Sequence, residues 1–220
     1  MENFNKNRVI FYTINHETTI NNPYYLNCVK ELLNKIPNAK FIWTRDERAH
    51  KKKDLKSIEN FFLKNNFSNR VEFLGQIDCK KSVKYGDIFL DAPFLASDIS
   101  ARVFAEGIPL VFFRHWISCY FDDIKKNNVT NKLLINDNFR EIYEDWIEIS
   151  KNKYFSSAEA HKFEKTEVSS EMNDYVKIAY KLATNENYFK NYSEFSIKLA
   201  DQYFYSEDHA RLFFDKIAGM

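Results

Sequence analysis

Six short runs of β-branched and aromatic residues recur along the chain, at Val9 to Ile14, Lys40 to Thr44, Val71 to Leu74, Ile88 to Leu90, Leu110 to Phe113 and Leu133 to Ile135. Each is followed by a longer segment with helical spacing. The runs are nearly continuous in apolar residues, the mark of strands buried on both faces. Strand and helix repeated about six times therefore imply an α/β fold with a parallel sheet and helices on both faces. The first helix is the clearest: Asn22 is placed to cap it, Pro23 takes the favoured first position, and Leu26, Val29, Leu33 and Ile36 share a face. Pro37 stops it. A second helix runs from about Asp54 to Asn66 and buries Leu55, Ile58, Phe62 and the adjacent Phe61; a later one from Asp137 to Ser150 aligns Phe139, Ile142, Tyr143, Trp146 and Ile149.

The character changes near Lys151. Residues 151–169 are polar and aperiodic, and three helical stretches without strands follow. Tyr175, Ile178, Ala179 and Leu182 mark the first, Tyr188, Tyr192, Phe195 and Leu199 the second, and Leu212, Phe213 and Ile217 the third, with Ser206 as its cap. The expected organisation is a Rossmann-like unit over 1–150 and a C-terminal helical tail over 151–220 that packs back on it.

Composition narrows the function. Lys plus Arg number 32 against 31 Asp plus Glu, a formal charge of +1, so no global field draws the protein to nucleic acid or to an anionic membrane. Cys28, Cys79 and Cys119 show no metal-ligand spacing, and their odd count argues for reduced thiols in a cytoplasmic protein rather than a disulfide framework. No run of about 18 apolar residues is present, so no membrane span is expected. With 4 glycines the chain has neither a GxGxxG nor a GxxxxGK[ST] phosphate loop.

In an open parallel sheet, ligands bind beyond the carboxyl ends of the strands, where the strand order reverses. The residues there are Asn15 and His16 after the first strand, Arg45 after the second, Gly75 and Gln76 after the third, Ala92 to Asp98 after the fourth, and Arg114 and His115 after the fifth. The set is polar and cationic. Ser97 or Asp98 begins a helix carrying Ser100 and Arg102, and its N-terminal amides suit an anion such as a diphosphate. Any one arginine in such a place is more often a solvated surface group, and His115 beside Trp116 serves equally as a packed histidine. Asp78, Asp87 and Asp91 also lie near strand ends, where Asp87 and Asp91 read as shaping the strand ends rather than as acids.

The order FLGQID, YGDIFLDAPF, a serine and FAEGIPLVFF resembles the nucleotide-sugar-binding half of GT-B glycosyltransferases. Within that group, NHETTINNPYYLNCVKELLNKIPNAKFIW is similar to the opening of this half in O-GlcNAc transferases and bacterial protein N-glucosyltransferases. The resemblance covers roughly residues 8–200. It implies a nucleoside diphosphate sugar as substrate, a UDP-sugar in the first place, with no metal and no cofactor, because such sites stabilise the leaving diphosphate with helix dipoles and cationic side chains. Arg45, Arg102 and Arg114 then hold phosphates, Gln76 and Ile77 line the base, Ser97, Asp98 and Ser100 contact phosphate or sugar, and Asn15 and His115 complete the pocket. His16 is the candidate catalytic base.

Two departures bear on activity. The family places Asp or Glu five residues before the glycine of its Gly-x-Pro step; counting back from Gly107 gives Arg102, and a guanidinium accepts no hydrogen bond. The family's lysine in the first strand–helix loop falls at Thr19 or Ile20. The resemblance also covers only one of the two halves of a GT-B enzyme, so transfer to a protein or glycan calls for an acceptor domain on a separate chain or a homo-oligomer. The alternative is a degenerate, non-catalytic interaction module on the same fold; a flavodoxin-like phosphate- or carboxylate-binding enzyme ranks third, since it leaves the Gly-x-Pro register unexplained.

Overall fold

Residues 8–15, 17–46, 55–78, 82–92, 98–112, 133–150 and 169–203 are described by a computed structural model. Five parallel strands, β1 (Ile10–Ile14), β2 (Lys40–Asp46), β3 (Val71–Ile77), β4 (Ile88–Leu90) and β5 (Leu110–Val111), form one sheet in the order β3-β2-β1-β4-β5. β1 lies at the centre: Phe11 pairs with Phe41 of β2 on one side and with Ile88 of β4 on the other. The β-branched and aromatic runs become strands because they are buried on both sides, and Phe11, Tyr12, Ile88, Phe89, Leu90, Leu110 and Val111 have no accessible surface.

Seven helices are described: α1 (Glu17–Ile20), α2 (Pro23–Lys35), α3 (Leu55–Lys64), α4 (Asp98–Ala105), α5 (Asp137–Ser150), α6 (Ser169–Thr184) and α7 (Glu186–Tyr203). Local sequence explains their ends. The Asn22 side chain accepts from the amides of Tyr24 at 2.9 Å and Tyr25 at 3.3 Å, so α2 begins at Pro23 as the pattern requires. At its other end the Arg70 guanidinium donates to the carbonyls of Leu33, Ile36 and Pro37 at 2.8, 3.2 and 2.8 Å. α4 closes in a Schellman turn: the amide of Gly107 reaches the carbonyl of Phe104, that of Ile108 reaches Val103, and Gly107 adopts φ +70°. Asn66, at φ +63°, closes α3 in the same way.

α2 and α3 cover one face, where Phe41 meets the rings of Tyr25 and Phe62. The crossover β4–α4–β5 steps across the sheet in the opposite direction to β1–α2–β2. Right-handed connections therefore put α4 on the other face. The tail closes the core: α6 packs on α2 and reaches β4 and β5, and α7 packs on α4, α5 and α6. Trp146 of α5 is buried among Phe104, Phe112, Tyr192 and Phe195, and its indole NH donates to the Tyr192 hydroxyl at 2.9 Å. Lys181 of α6 clasps Glu141 and Asp145 of α5, each at 2.7 Å, and the Tyr188 hydroxyl of α7 donates to the same Asp145 oxygen at 2.6 Å.

One expected strand is absent. Leu133 to Ile135 do not pair with the sheet: Leu133 is helical, Leu134 and Ile135 form a turn before α5, and Ile135 is 81% exposed; the side chain of Asn136 accepts from the Asn138 amide at 3.0 Å and starts the helix instead. Three consecutive apolar residues cannot by themselves distinguish a buried strand from a helix approach. The fifth strand is also shorter than its apolar run. The expected third tail helix, with Ser206, lies outside the described residues, as do Cys79 and Cys119; Cys28 is a buried free thiol.

A methyl group added at Gly107 would lie 2.7 Å from Ile197 Cδ1 in α7, and the residue would have to hold a left-handed backbone. Gly107→Ala is expected to cost about 1–2 kcal/mol, chiefly the left-handed backbone penalty, read as a lowered midpoint in urea unfolding.

Candidate functional site

The reversal of strand order falls between β1 and β4, and the crevice it opens lies beyond the carboxyl ends of these two strands. Asn15 follows β1, Asp91 and Ala92 follow β4, and all three are buried. The Asn15 amide NH donates to the Thr44 carbonyl at 3.0 Å, continuing the β1–β2 ladder one residue past the strand. Its side-chain Nδ2 donates to Thr13 Oγ1 at 2.8 Å, while its backbone carbonyl accepts from Trp43 Nε1 at 3.4 Å. Three contacts thus hold a residue that is only 4% exposed.

Arg45 lies next along the same edge, near the end of β2, and is 6% exposed. The β2–β3 register shifts between Trp43 and Arg45, so that Arg45 faces Gln76 and Asp46 faces Ile77. Gly75 absorbs the irregularity with φ +82°, and its carbonyl accepts from Thr44 Oγ1 at 2.8 Å. The bulge brings Gln76 beside Arg45; Gln76 is exposed and Ile77 half-buried.

The far wall rests on tyrosines. Tyr25 of α2 donates to the Leu90 carbonyl at 3.0 Å and Tyr175 of α6 to the Asp91 carbonyl at 2.9 Å. Tyr192 of α7 donates to the Leu110 carbonyl. Burial pushes the pKa of all three phenols up, so they stay protonated donors across the physiological range. Asp87 accepts from the Ile10 amide at 2.7 Å, tying the start of β1 to the approach of β4, the strand-shaping role its position suggests.

The sheet edge therefore brings together Asn15, Arg45, Gln76 and Ile77. Asp98, Ser100 and Arg102 stand on α4, which begins at Asp98; Arg102 is half-buried in its second turn. His16, Ser97, Arg114 and His115 lie outside the described residues. Two clefts lined by described residues lie elsewhere, between α2 and α6 (about 510 Å³, with Glu31, Lys35, Asp174 and Lys177) and between α2 and α3 (about 610 Å³, with Asn21, Ser57 and Phe61). They are open surface features without the buried polar groups of the strand ends. Among the described residues no group of three or more His, Cys, Asp or Glu side chains is placed to hold a metal ion, and no helix is long and apolar enough to cross a membrane.

No protein-family model and no curated protein matches the chain. Solved structures similar to it include a mutant O-GlcNAc transferase of Thermobaculum terrenum (12% identical, covering 88% of this chain and 37% of that one, TM-score 0.40). They also include OtsA in an apo structure (16%, 89% and 44%, TM-score 0.36) and OtsA described as a trehalose-6-phosphate synthase (15%, 90% and 44%, TM-score 0.35). This chain spans less than half the length of each.

Thr13, Thr44, Tyr25 and Tyr175 escaped the sequence reading of the site. Threonines inside a strand and tyrosines on a helical stripe read as core, and the hydroxyl contacts that join them to the strand ends have no local signature. Tyr175→Phe strands the buried Asp91 carbonyl and is expected to cost about 1–3 kcal/mol in urea unfolding, with the far-UV circular dichroism spectrum unchanged.

Proposed function

We propose that this chain is a glycosyltransferase-like domain that binds a nucleoside diphosphate sugar, a UDP-sugar in the first place, in the crevice beyond β1 and β4. The observation that carries the reading is the reversal of strand order at β1/β4, with Asn15, Arg45, Gln76 and Ile77 on the adjoining edge and the N-terminus of α4 opening at Asp98. An anion at that terminus meets free amides and the positive end of the helix dipole. Arg45, Arg102 and Arg114 supply the compensating charge, Gln76 and Ile77 line the base, and Ser97, Asp98, Ser100 and His115 contact phosphate or sugar. His16, after β1, is the group proposed to take the acceptor proton. The acceptor is a protein or glycan presented by another domain, a partner chain or a second copy, and the setting is the cytoplasm. The working unit is the sheet region over 1–150, braced by the tail over 151–220.

A degenerate, non-catalytic binding module is the second reading. Arg102 favours it, because α4 carries a cation at the place where an acceptor for ligand hydroxyls is expected.

A thermal-shift series with UDP, GDP, UDP-glucose, UDP-N-acetylglucosamine and a GDP-sugar separates the two. A ligand at 100 times its Kd stabilises the native state by about 2.7 kcal/mol, a rise of roughly 5–10 °C for a chain of this size. UDP or a UDP-sugar is expected to raise the melting temperature, and Arg102→Glu to abolish the rise. A flat response of the wild type to every nucleotide, with a rise only in Arg102→Glu, would establish the degenerate module.

A further inference from the structure

The side-chain carbonyl of Asn15 is a buried strand-end group that accepts no hydrogen bond. One hydrogen bond holds the side chain, from Nδ2 to Thr13 Oγ1, and two hold the backbone, from its NH to the Thr44 carbonyl and from Trp43 Nε1 to its carbonyl. Its Oδ1 is buried and accepts no hydrogen bond. A buried polar atom without a partner costs free energy in the unliganded protein, and a chain keeps such an atom where something else completes it. With Nδ2 donating to Thr13 Oγ1, the amide oxygen is turned away from Thr13. Asn15 stands directly after β1, at the point where the strand order reverses.

We infer that Asn15 Oδ1 is a ligand-positioning acceptor that takes a hydrogen bond from a hydroxyl of the bound molecule. The inference rests on the nucleotide-sugar reading and adds to it the atom that recognises a polyol. A hydroxyl is the donor that suits it: the oxygen is neutral and enclosed, so it selects a neutral O–H over a cation that would have to shed its water unpaired. Arg45 and Arg102 have no acceptor capacity, so hydroxyl recognition at this edge falls to strand-end oxygens. The hydroxyl comes from the ribose or from the transferred sugar, which share this chemistry.

The test is calorimetric titration of the whole chain, as wild type, Asn15→Leu and Asn15→Asp, with UDP-glucose, UDP and a dideoxy-UDP lacking both ribose hydroxyls. Leu keeps the shape of the amide without its oxygen, and Asp keeps an acceptor. Asn15→Leu is expected to weaken UDP-glucose about tenfold or more, and Asn15→Asp to stay within a few-fold of wild type. With a ribose donor, dideoxy-UDP binds the wild type about as weakly as UDP binds Asn15→Leu. With a sugar donor, UDP is indifferent to the substitution and only the advantage of UDP-glucose disappears. Unchanged affinity for UDP-glucose in an Asn15→Leu protein that melts cooperatively overturns the inference and leaves the nucleotide-sugar reading standing; a wild type that binds none of the three overturns both. Where Asn15→Leu lacks a cooperative melt, the wild type decides alone, since equal affinity for all three ligands leaves no ligand hydroxyl for Oδ1 and overturns the inference.

Discussion

Three buried phenols hold this sheet together where its own ladder runs out. β4 has three residues and β5 two, so the backbone bonds between them are too few to fix the carboxyl end of either strand. Tyr25, Tyr175 and Tyr192 arrive from α2, α6 and α7 and donate to the carbonyls of Leu90, Asp91 and Leu110. Each is also a large apolar body whose burial contributes about 1.5–3 kcal/mol, so one side chain supplies packing and direction together. Because the donors sit on three helices, the tail is part of the crevice wall.

This arrangement explains what could be read in advance. The strands β1 to β4, the cap at Asn22, the start of α4 at Asp98 and the span of α5 follow from local chemistry, since apolar runs, Asx caps and Pro at a first turn act within a few residues. The Gly107–Pro109 step stood out as part of the family resemblance, and the Schellman turn it makes at positive φ is a finding of the structure. Leu133 to Ile135 misled because three apolar residues satisfy a strand and a helix approach alike. The bulge at Gly75 was invisible too: nothing in VEFLGQI states that β3 slips against β2.

For the candidate site, the sequence located the edge and named Asn15, Arg45, Gln76 and Ile77 on it. It could not show that Asn15 is nine-tenths enclosed and held by three hydrogen bonds, because its partners Thr13, Thr44 and Trp43 belong to two strands whose register is a tertiary fact. Position along a strand is a local property; the state of an individual oxygen is not.

The central place of β1 also governs when the crevice can exist. Ile10 waits for Asp87, 77 residues later, to receive its amide, and the Asp91 carbonyl waits a further 84 residues for Tyr175. Contacts of such span close slowly, and during synthesis the early strands are exposed until their partners emerge. The half formed by β1, β2 and β3 can assemble first, as a three-stranded sheet under α2 and α3. The strand ends beyond β1 and β4 therefore take their final form late in folding.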